Sequence, residues 1–542
     1  MKQPIDLRPD HAKIVHEIIA RHLPAGVSVR VFGSRAKWTA KPHSDLDLAL
    51  KGKEPLPRSV LGDLAEAFSE SDLPFRVDVV DWHTVAPSFQ EVIDRDGKPL
   101  SWPIVSLGDL IEIKHGFAFK GEYFSDEPTD DVLVTPGNFA IGGGFQINKL
   151  KFYDGPVLED YVLRTGDVVV TMTDLSKQAD TLGYSAIVPS SHYRFLHNQR
   201  VGRVLLKSDD ADLTFIAWLL RTSSYRATVV GSATGSTVKH TSPGRILEYR
   251  FGLPTLTEQK QIASVLSALD DKIELNRRMN ETLEGMAQAI FRDWFVDFGP
   301  VRRKAAGETD AVAIMGGLTP DPARATQLAA LFPDAFSDDG LPVGWQRLHL
   351  SDIASQGKGS INPQSQPETV FEHYSLPAFD KGQEPSMDAG STIKSNKTPV
   401  PLGSILLSKL NPEILRVWLP NDHAGAAQIA STEFLVFIHK PGASRSLLFA
   451  LFRDPDFRTL MQGMVTGTSK SHQRISPPAL LAQEVIAANV SLFPAFSALV
   501  EPMLERLLAS RAENNSLAET RDYVLPRLMS GTVRVARESE AA

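Results

Sequence analysis

Two long segments of the chain carry apolar side chains at intervals of three and four residues. The first begins just after Pro254, and its apolar positions are Ile262, Leu266, Leu269, Ile273, Met279, Leu283, Met286 and Ile290. The second spans about 495–529, and its apolar positions are Phe496, Leu499, Met503, Leu507, Leu517, Val524 and Leu528. Residues spaced in this way lie on one face of an α-helix, so both segments are predicted to be long amphipathic helices. Thr257-Glu258 is the predicted cap of the first helix, and Gly531 is the predicted stop of the second.

Both apolar stripes are narrow, and each is interrupted by a polar residue, Asn276 in the first helix and Asn514 in the second. The two helices can each pack on a neighbouring domain, or they can pack on each other as an antiparallel pair. The repeat persists over about five heptads, which favours the coiled-coil pair. About 37 residues at 1.5 Å per residue give a rod of roughly 55 Å. Such a rod would hold two domains about one and a half turns of B-DNA apart.

The regions that contain these helices are diverged copies of each other. One copy spans about 101–298 and the other about 344–535, and a Gly/Ser/Thr/Lys/His run occurs in both, at 235–240 and 467–472. Repeats of this length are whole domains. The part of each copy before its helix, called a head below, has the pattern of short strands separated by Gly, Pro and Asp turns, as at 166–171. Two similar heads suit a ligand with two half-sites, and duplex DNA is the obvious candidate.

Composition narrows the function classes. The 542 residues suggest three or four domains, and the absence of cysteine excludes disulfides, zinc knuckles and thiol catalysis. No signal sequence or bilayer-spanning apolar run is present, so a soluble cytoplasmic protein is expected. A net charge of −8 does not favour nucleic acid. Local patches, neutral base-contacting side chains or a partner subunit can still supply the DNA contacts.

The pattern predicts six consecutive parts. They are an α/β domain (1–100), a first head (101–255), a first spacer helix (256–298), a linker (299–343), a second head (344–490) and a second spacer helix (491–535). The predicted fold class is α+β and multidomain. It consists of a small α/β domain followed by two mixed α/β heads joined by an antiparallel pair of long coiled-coil helices.

Several stretches of the duplicated region resemble the specificity subunit of type I restriction–modification systems. They are Glu372-His373-Tyr374-Ser375-Leu376-Pro377-Ala378-Phe379-Asp380, Ser395-Asn396-Lys397, Leu407-Ser408-Lys409-Leu410-Asn411-Pro412, Trp294-Phe295-Val296-Asp297-Phe298, Gly340-Leu341-Pro342-Val343-Gly344-Trp345 and Arg521-Asp522-Tyr523-Val524-Leu525-Pro526-Arg527-Leu528-Met529-Ser530-Gly531. The resemblance implies two target-recognition domains that each bind one half of a bipartite double-stranded DNA site. It also implies that the helix pair sets the gap and docks two methyltransferase (modification) subunits, with motor-nuclease (restriction) subunits outside them.

The resemblance further implies that this chain itself neither methylates nor cleaves DNA. The sequence agrees, because it contains no Asn-Pro-Pro-Tyr-type methyltransferase tetrad and no Walker A loop. Ser476-Pro477-Pro478-Ala479 lacks both the amide and the aromatic residue of the tetrad.

Polar residues in and near the Gly/Ser/Thr runs and on neighbouring loops are the candidate DNA contacts, because their donors can reach phosphates or base edges. They are Lys177, Gln178, Lys239, His240, Lys409, Lys470 and His472. For each of them the alternative is a solvated surface side chain.

Residues 1–100 are not expected in that family. They have the pattern of a helix at 11–22, a strand at 27–32, a strand at 45–50, a helix at 60–69 and a strand at 76–80. The motifs in this segment are Gly33-Ser34-Arg35-Ala36-Lys37, Ser44-Asp45-Leu46-Asp47-Leu48 and Val77-Asp78-Val79-Val80. Together they resemble the minimal nucleotidyltransferase domain of the polymerase-β-like superfamily.

The spacing of these motifs suits nucleotidyl transfer. On a strand, Asp45 and Asp47 project from one face and can hold Mg²⁺ against nucleoside triphosphate phosphates. Asp78 on an adjacent strand can complete a two-metal site. Gly33 and Ser34 let backbone N–H groups approach the triphosphate, with a favourable dipole from the helix that follows. The family often has Gly where this chain has Trp38, so the domain is either an active enzyme or a degenerate docking module.

Three functions therefore compete. The leading one is a type I specificity subunit with a fused nucleotidyltransferase-like domain. The second is a metal-dependent nucleotidyltransferase that modifies protein or nucleic acid and is targeted by the DNA-binding region. The third is a non-catalytic scaffold that binds only proteins.

Overall fold

The computed structural model describes residues 5–535, except 25–26, 42, 101, 148, 177, 423–424 and 466–472. The chain divides into two compact units, Met1–Asp271 with Leu517–Ala542, and Lys272–Ser516. Within the described residues, no helix is both long and apolar enough to cross a membrane.

The first unit begins with a small α/β domain. Its elements are α1 (Pro9–His22), β1 (Ser28–Phe32), α2 (Gly33–Ala36), β2 (Leu46–Lys51), α3 (Arg58–Ser69), β3 (Val77–Asp81), α4 (Pro87–Asp96) and β4 (Lys98–Pro99). The sheet order is β3-β2-β1-β4, with β2 and β3 parallel and β1 antiparallel to β2. The strands and helices expected from the sequence are present, each within two residues of the predicted bounds. Apolar side chains of α1 and α3 cover the sheet, and Val15, Val31 and Leu48 are fully buried between them.

The first head follows in the same unit. Its elements are β5 (Ile104–Ser106), α5 (Leu107–Leu110), β6 (Ile111–His115), β7 (Phe124–Ser125), β8 (Asp131–Val134), β9 (Phe152–Tyr153), β10 (Val168–Thr171), β11 (Thr173–Asp174), β12 (Ser185–Ile187), β13 (Arg194–His197), β14 (Val201–Leu206), α6 (Leu213–Leu219), α7 (Ser223–Gly231), β15 (Lys239–His240), α8 (Pro243–Leu247) and β16 (Arg250–Gly252). The long helix α9 (Leu256–Phe295) comes next. Its cap lies earlier than predicted, because Thr255 Oγ1 and Glu258 Oε2 are 3.0 Å apart and each also bonds the other residue's backbone N–H.

The second unit contains the linker and the second head. Its elements are α10 (Gly299–Ala305), α11 (Ala311–Ile314), α12 (Pro322–Ala329), β17 (Gln346–His349), α13 (Leu350–Ile353), β18 (Ala354–Gln356), β19 (Val370–Tyr374), α14 (Leu376–Gly382), β20 (Ser386–Ala389), β21 (Thr398–Pro399), β22 (Ile405–Ser408), β23 (Val417–Trp418), β24 (Ala427–Ala430), β25 (Phe434–His439), α15 (Arg445–Arg453), α16 (Pro455–Gly463), α17 (Pro477–Leu481) and β26 (Glu484–Ala488). The long helix α18 (Phe493–Met529) follows, and its part from Leu517 on belongs to the first unit. The linker segment is itself helical. Its Val301, Met315 and Leu328 enter the core of this unit, and Trp294 packs edge-on against Phe332.

The two heads share the strand order of their first sheet and a parallel pair in their second, as expected for a duplicated sequence. The order β6-β14-β10-β12 in the first head is repeated as β18-β25-β22-β23 in the second. A second sheet in each head contains a parallel pair, β8 with β13 and β19 with β24. Each head also begins and ends in an antiparallel pair, β5 with β16 and β17 with β26. The duplication is therefore preserved in these pairings, although the second sheets end in different edge strands, β7 beside β9 and β21 beside β24.

The antiparallel helix pair is confirmed. In the second unit, Asn276 of α9 is fully buried, and its Nδ2 is 2.9 Å from Asn514 Oδ1 of α18. Further along, Phe291 packs edge-on against Phe496, so positions rise on one helix as they fall on the other. The two polar breaks in the apolar stripes thus meet each other, and a slip in register would leave the buried Asn276 amide without this partner.

Each head is fastened to α9 by a carboxylate that two arginines share. In the first unit, Asp270 is 2.7 Å from Arg221 of the head and 2.7 Å from Arg521 of α18. In the second unit, Glu284 is 2.7 Å from Arg453 of the head and 3.2 Å from Arg511 of α18. Arg221 and Arg453 occupy the same place in their heads. Arg221 stands nine residues after Asp212, the N-cap of α6, and Arg453 stands nine residues after Ser444, the N-cap of α15.

Asp270→Ala is expected to lower the free energy of unfolding by about 3 kcal/mol, because it leaves two largely buried guanidinium groups without their counter-charge. Urea unfolding followed by tryptophan fluorescence measures the loss. Lys272→Ala is the matched control, since Lys272 and its partner Glu513 are both 38% exposed and such pairs contribute less than about 1 kcal/mol. Equal losses in the two variants would contradict a carboxylate shared by two largely buried arginines.

Candidate nucleotide and nucleic-acid sites

The first candidate site lies where β1 ends and β2 and β3 begin. In the parallel pair, Asp47 of β2 stands directly opposite Asp78 of β3. In the antiparallel pair, Asp47 stands opposite Phe32, the residue before Gly33. Neighbouring strands are about 4.8 Å apart, so the sheet brings Asp47, Asp78 and the Gly33-Ser34 turn together.

Gly33 is required at this turn for two reasons. Its φ of +72° lies in the left-handed region, and a Cβ there would overlap Asp47 Oδ2. The backbone of the turn therefore lies against the carboxylate that the sequence singled out. Ser34 is on α2, which has only four residues. The predicted dipole contribution to phosphate binding therefore comes from a single helical turn.

Asp45 is not on the strand, because β2 begins at Leu46. The prediction that Asp45 and Asp47 project from one face of a strand is wrong in this respect, but their charges still interact. Burial raises the pKa of Asp47, and the neighbouring carboxylates of Asp78 and Asp45 raise it further, against a smaller opposing effect of Arg35. Repulsion within such an acidic cluster is relieved by a bound cation, so these residues fit a metal ion.

The cluster is not arranged as a finished metal site. Within the described residues, no group of three or more His, Cys, Asp or Glu side chains has the geometry to hold a metal ion. Asp78 Oδ1 is instead 2.8 Å from Arg76 Nε in an ion pair that is largely exposed. Because exposed pairs contribute little stability, Asp78 can leave Arg76 at small cost.

Arg35 holds the backbone beside the site in place, a role that the sequence motif did not reveal. Its buried guanidinium donates to Ser44 O at 2.8 Å and to Asp6 O at 2.9 Å, and it stacks 3.9 Å from the ring centre of Phe75. Burial lowers the pKa of Arg35, while the carboxylates of Asp6, Asp45 and Asp47 raise it. Arg35 thereby fixes the residue next to Asp45.

Gly33→Ala is expected to destabilise the chain by about 2 kcal/mol, because alanine is strained at this φ and its methyl group would displace Asp47. Gly62→Ala on α3 is the control. Its added Cβ meets nothing within 4 Å, and we expect a gain of roughly 0.5–1 kcal/mol from the lost glycine entropy. Thermal unfolding of both variants tests this, and a neutral effect at Gly33 would disprove the predicted overlap.

Asp47→Asn is expected to stabilise the metal-free chain at neutral pH, because it removes a charge that burial and neighbouring carboxylates disfavour. A carboxyl group whose pKa is raised by folding destabilises the folded state fully above its folded pKa. The effect disappears below the unfolded pKa, near 3.8. The gain should therefore shrink to nothing as the pH of the urea titration falls below that value. Asp63→Asn, at an exposed position of α3, is the control for the loss of one carboxylate.

The second candidate site is in the first head, where β11 pairs with β15. Thr173 stands opposite His240 and Asp174 opposite Lys239, so these two predicted contacts lie on a short strand and not in a loop. His240 is exposed, and its Nδ1 is 3.2 Å from Thr173 Oγ1. The exposed Gln178 lies on the loop that follows β11 directly, and Lys177 falls outside the described residues. Gln178 and the pair of Lys239 and His240 therefore both adjoin β11.

Asp174 organises the loop that carries Gln178. Its carboxylate accepts hydrogen bonds from Ser176 N at 2.6 Å and from the backbone N–H and hydroxyl of Thr181. Burial alone raises the pKa of Asp174, but these hydrogen bonds outweigh it and hold the pKa below its ordinary value. Arg226 also donates to Ala179 O at 2.7 Å, so hydrogen bonds from two sides hold the described residues of the loop.

The second head has the same arrangement next to β22. Lys409 O accepts from Ile475 N at 3.1 Å, as Met172 O accepts from Thr241 N at 3.0 Å in the first head. Lys409 is thus the counterpart of Met172, and it is half-buried.

Lys470 and His472 lie outside the described residues. Leu410 forms a bridge with Arg474, which places Arg474 where His240 stands in the first head. The sequence did not single out Arg474, because only the hydrogen-bond pattern reveals the correspondence. Its side chain is 51% exposed and 2.8 Å from Glu433.

Comparison with known proteins agrees with both resemblances. A family profile described as a type I restriction modification DNA specificity domain matches residues 99–285, and one described as polymerase beta, nucleotidyltransferase, matches residues 15–101. The specificity subunit of the type I restriction enzyme HindI of Haemophilus influenzae is 25% identical over 324 residues, which cover 52% of this chain and 69% of that protein.

Of two further similarities, one concerns the first domain and the other most of the chain. The probable protein adenylyltransferase MntA of Haemophilus influenzae is 46% identical over 91 residues, which cover 17% of this chain and 79% of that protein. The match to the crystal structure of a type I restriction–modification S subunit from M. genitalium covers 79% of this chain and 96% of that structure, with a TM-score of 0.47 and 14% identity.

Proposed function

Since this chain is a homologue of type I specificity subunits and its first domain belongs to the polymerase-β nucleotidyltransferase family, we propose that it recognises a bipartite, gapped DNA site, one half-site for each head. The observation that carries the proposal is the repeated topology of the heads. In both heads, a polar edge follows the same central strand, β10 or β22.

The two half-sites are expected to differ in sequence. The edges pair at corresponding positions, but His240 in one head is replaced by Arg474 in the other. Arginine donates bidentately to guanine, whereas histidine has a different donor and acceptor pattern. The DNA site is therefore asymmetric although the scaffold is repeated.

The partners follow from the same assignment. The chain is proposed to dock two modification subunits on its helix pair, with restriction subunits joining outside, and to lack methyl-transfer and nuclease chemistry of its own. Its net charge of −8 gives little attraction for DNA phosphates. Much of the non-specific DNA affinity is therefore expected to come from the partner subunits.

Co-expression with the modification subunits, followed by sequencing of methylated bases, tests this proposal. We expect one gapped motif. His240→Ala should relax specificity in one half of the motif and Arg474→Ala in the other, each by about 1–3 kcal/mol per base contact. The two variants serve as controls for each other. The absence of any methylated motif, or loss of the same half-site in both variants, would contradict the proposal.

We propose nucleotidyl transfer as the function of the first domain, and the apposition of Gly33, Asp47 and Asp78 supports it. Asp45, Asp47 and Asp78 would hold Mg²⁺, which would neutralise the triphosphate and polarise the reacting phosphate. The Gly33-Ser34 turn would bind the phosphates through backbone N–H groups. An acceptor hydroxyl would take the nucleotidyl group and release pyrophosphate, and the similarity to a probable protein adenylyltransferase favours a protein acceptor.

Incubation of the full chain, with and without its partner subunits, in labelled ATP and Mg²⁺ tests this second activity. The double variant Asp45→Ala/Asp47→Ala should lose label transfer. Asp63→Ala, an exposed carboxylate on α3, should retain it. Transfer that survives the double substitution would exclude this site, and no transfer from the unsubstituted chain would favour a non-catalytic docking module.

A further inference from the structure

The first head has a glycine-rich turn at 139–145, called the first anchored segment below. Arg221, which contacts the shared carboxylate of Asp270, donates through Nε to Gly142 O at 3.0 Å. Gly143 has a φ of +92°, and a Cβ there would overlap the side chain of Arg221. The arginine therefore lies directly against the turn and holds it in place.

The second head has an anchored segment of its own at 382–387, which runs from the end of α14 into β20. Arg511, which contacts the shared carboxylate of Glu284, donates to Gln383 Oε1 at 3.0 Å. The two anchored segments correspond in topology. Each follows, after one short helix, the strand of the second sheet that leads into it, β8 in the first head and β19 in the second. The anchoring arginine comes from the head in one case and from α18 in the other, but both contact the shared carboxylate.

Each anchored segment carries an exposed apolar side chain. Ile141 is 72% exposed, and Met387 is 61% exposed. Single exposed apolar residues are common on protein surfaces. Burial within the head does not account for these two, although they stand at equivalent, anchored places of two heads that have diverged in sequence.

The first anchored segment adjoins the polar edge of its head. Gly144 N donates to Ser185 O at 2.9 Å. The ring of the neighbouring Tyr184 lies 4.1 Å from the guanidinium of Arg226, which also donates to Ala179 O in the loop after β11. The turn with Ile141 and the loop with the predicted DNA contact are therefore neighbours.

The second anchored segment is joined to the polar edge of its head through Arg416. The guanidinium of Arg416 is 2.7 Å from Asp380 of α14, and its backbone O accepts from Ser408 N at 3.0 Å. Ser408 directly precedes Lys409 at the end of β22. In both heads, the segment with the exposed apolar residue thus adjoins the edge that is proposed to meet DNA.

We propose that Ile141 and Met387 are apolar base contacts, one in each half-site, and that each meets the C5-methyl group of a thymine. The proposal rests on the DNA recognition proposed for the heads. The polar edges offer hydrogen-bonding groups, whereas the thymine methyl group is the apolar feature that bases present in the major groove. A side chain on a segment that is already held in place meets this group at a smaller ordering cost.

Deoxyuridine, which lacks only the C5-methyl group of thymidine, tests these contacts. The complex of the full chain with its modification subunits is titrated with duplexes that carry the methylated motif, with each thymine of either strand replaced in turn. One replacement in each half-site should weaken binding about fourfold, the value for one buried methyl group. Ile141→Ala should abolish this effect in one half-site, and Met387→Ala should abolish it in the other.

Leu158→Ala and Leu402→Ala are the matched controls, because they remove exposed leucines elsewhere on the first and second heads. Both should keep the full sensitivity to deoxyuridine.

The absence of a sensitive thymine in both half-sites, or sensitivity that persists in Ile141→Ala and Met387→Ala, would overturn the proposal. Weaker assembly of these variants with the modification subunits, at unchanged sensitivity to deoxyuridine, would identify protein contacts and also overturn it. If the unsubstituted complex methylates no motif at all, then the recognition function proposed for the heads fails as well.

Discussion

The partly buried carboxylates of α9, each shared by two arginines, are the constraint on which the heads depend. Asp270 in the first unit and Glu284 in the second each neutralise one arginine from a head and one from α18. A charge taken out of water is tolerated only with its partners in place. Any movement of a head along its helix, or of one helix past the other, would therefore separate charges that solvent cannot fully screen. Arg221 extends this constraint into the head, because its Nε also donates to Gly142 O at 3.0 Å.

The long helices and the first domain could be predicted from the sequence because their signals are local. Apolar spacing fixed both helices to within a few residues, and the interrupting residues Asn276 and Asn514 are the pair that meets. In the first domain, the Gly-Ser turn follows β1, and the two aspartate motifs lie at the next two strands, β2 and β3, which pair side by side. Motifs that follow one another along this part of the sequence therefore also lie side by side in the fold.

The heads were harder to predict because their pairings are not local. The parallel partners β8 and β13 are separated by long connections, and β11 finds β15 far along the chain. Periodicity therefore could not show that Lys239 and His240 form a strand, or that Arg474 takes the place of His240. The prediction that Asp45 lies on the strand failed by one residue. The strand starts at Leu46, so the two-residue alternation on which the prediction relied does not extend to Asp45.

The antiparallel pairs at the base of the heads bring each head's first and last strands side by side. Ile104 stands opposite Gly252, and Gln346 stands opposite Ala488. A segment whose two ends adjoin can be exchanged for another of the same topology without lengthening or redirecting the chain on either side. Recombination between related genes could thus transplant a whole head as a cassette, giving a new DNA preference in one step while the supporting helices stay as they were.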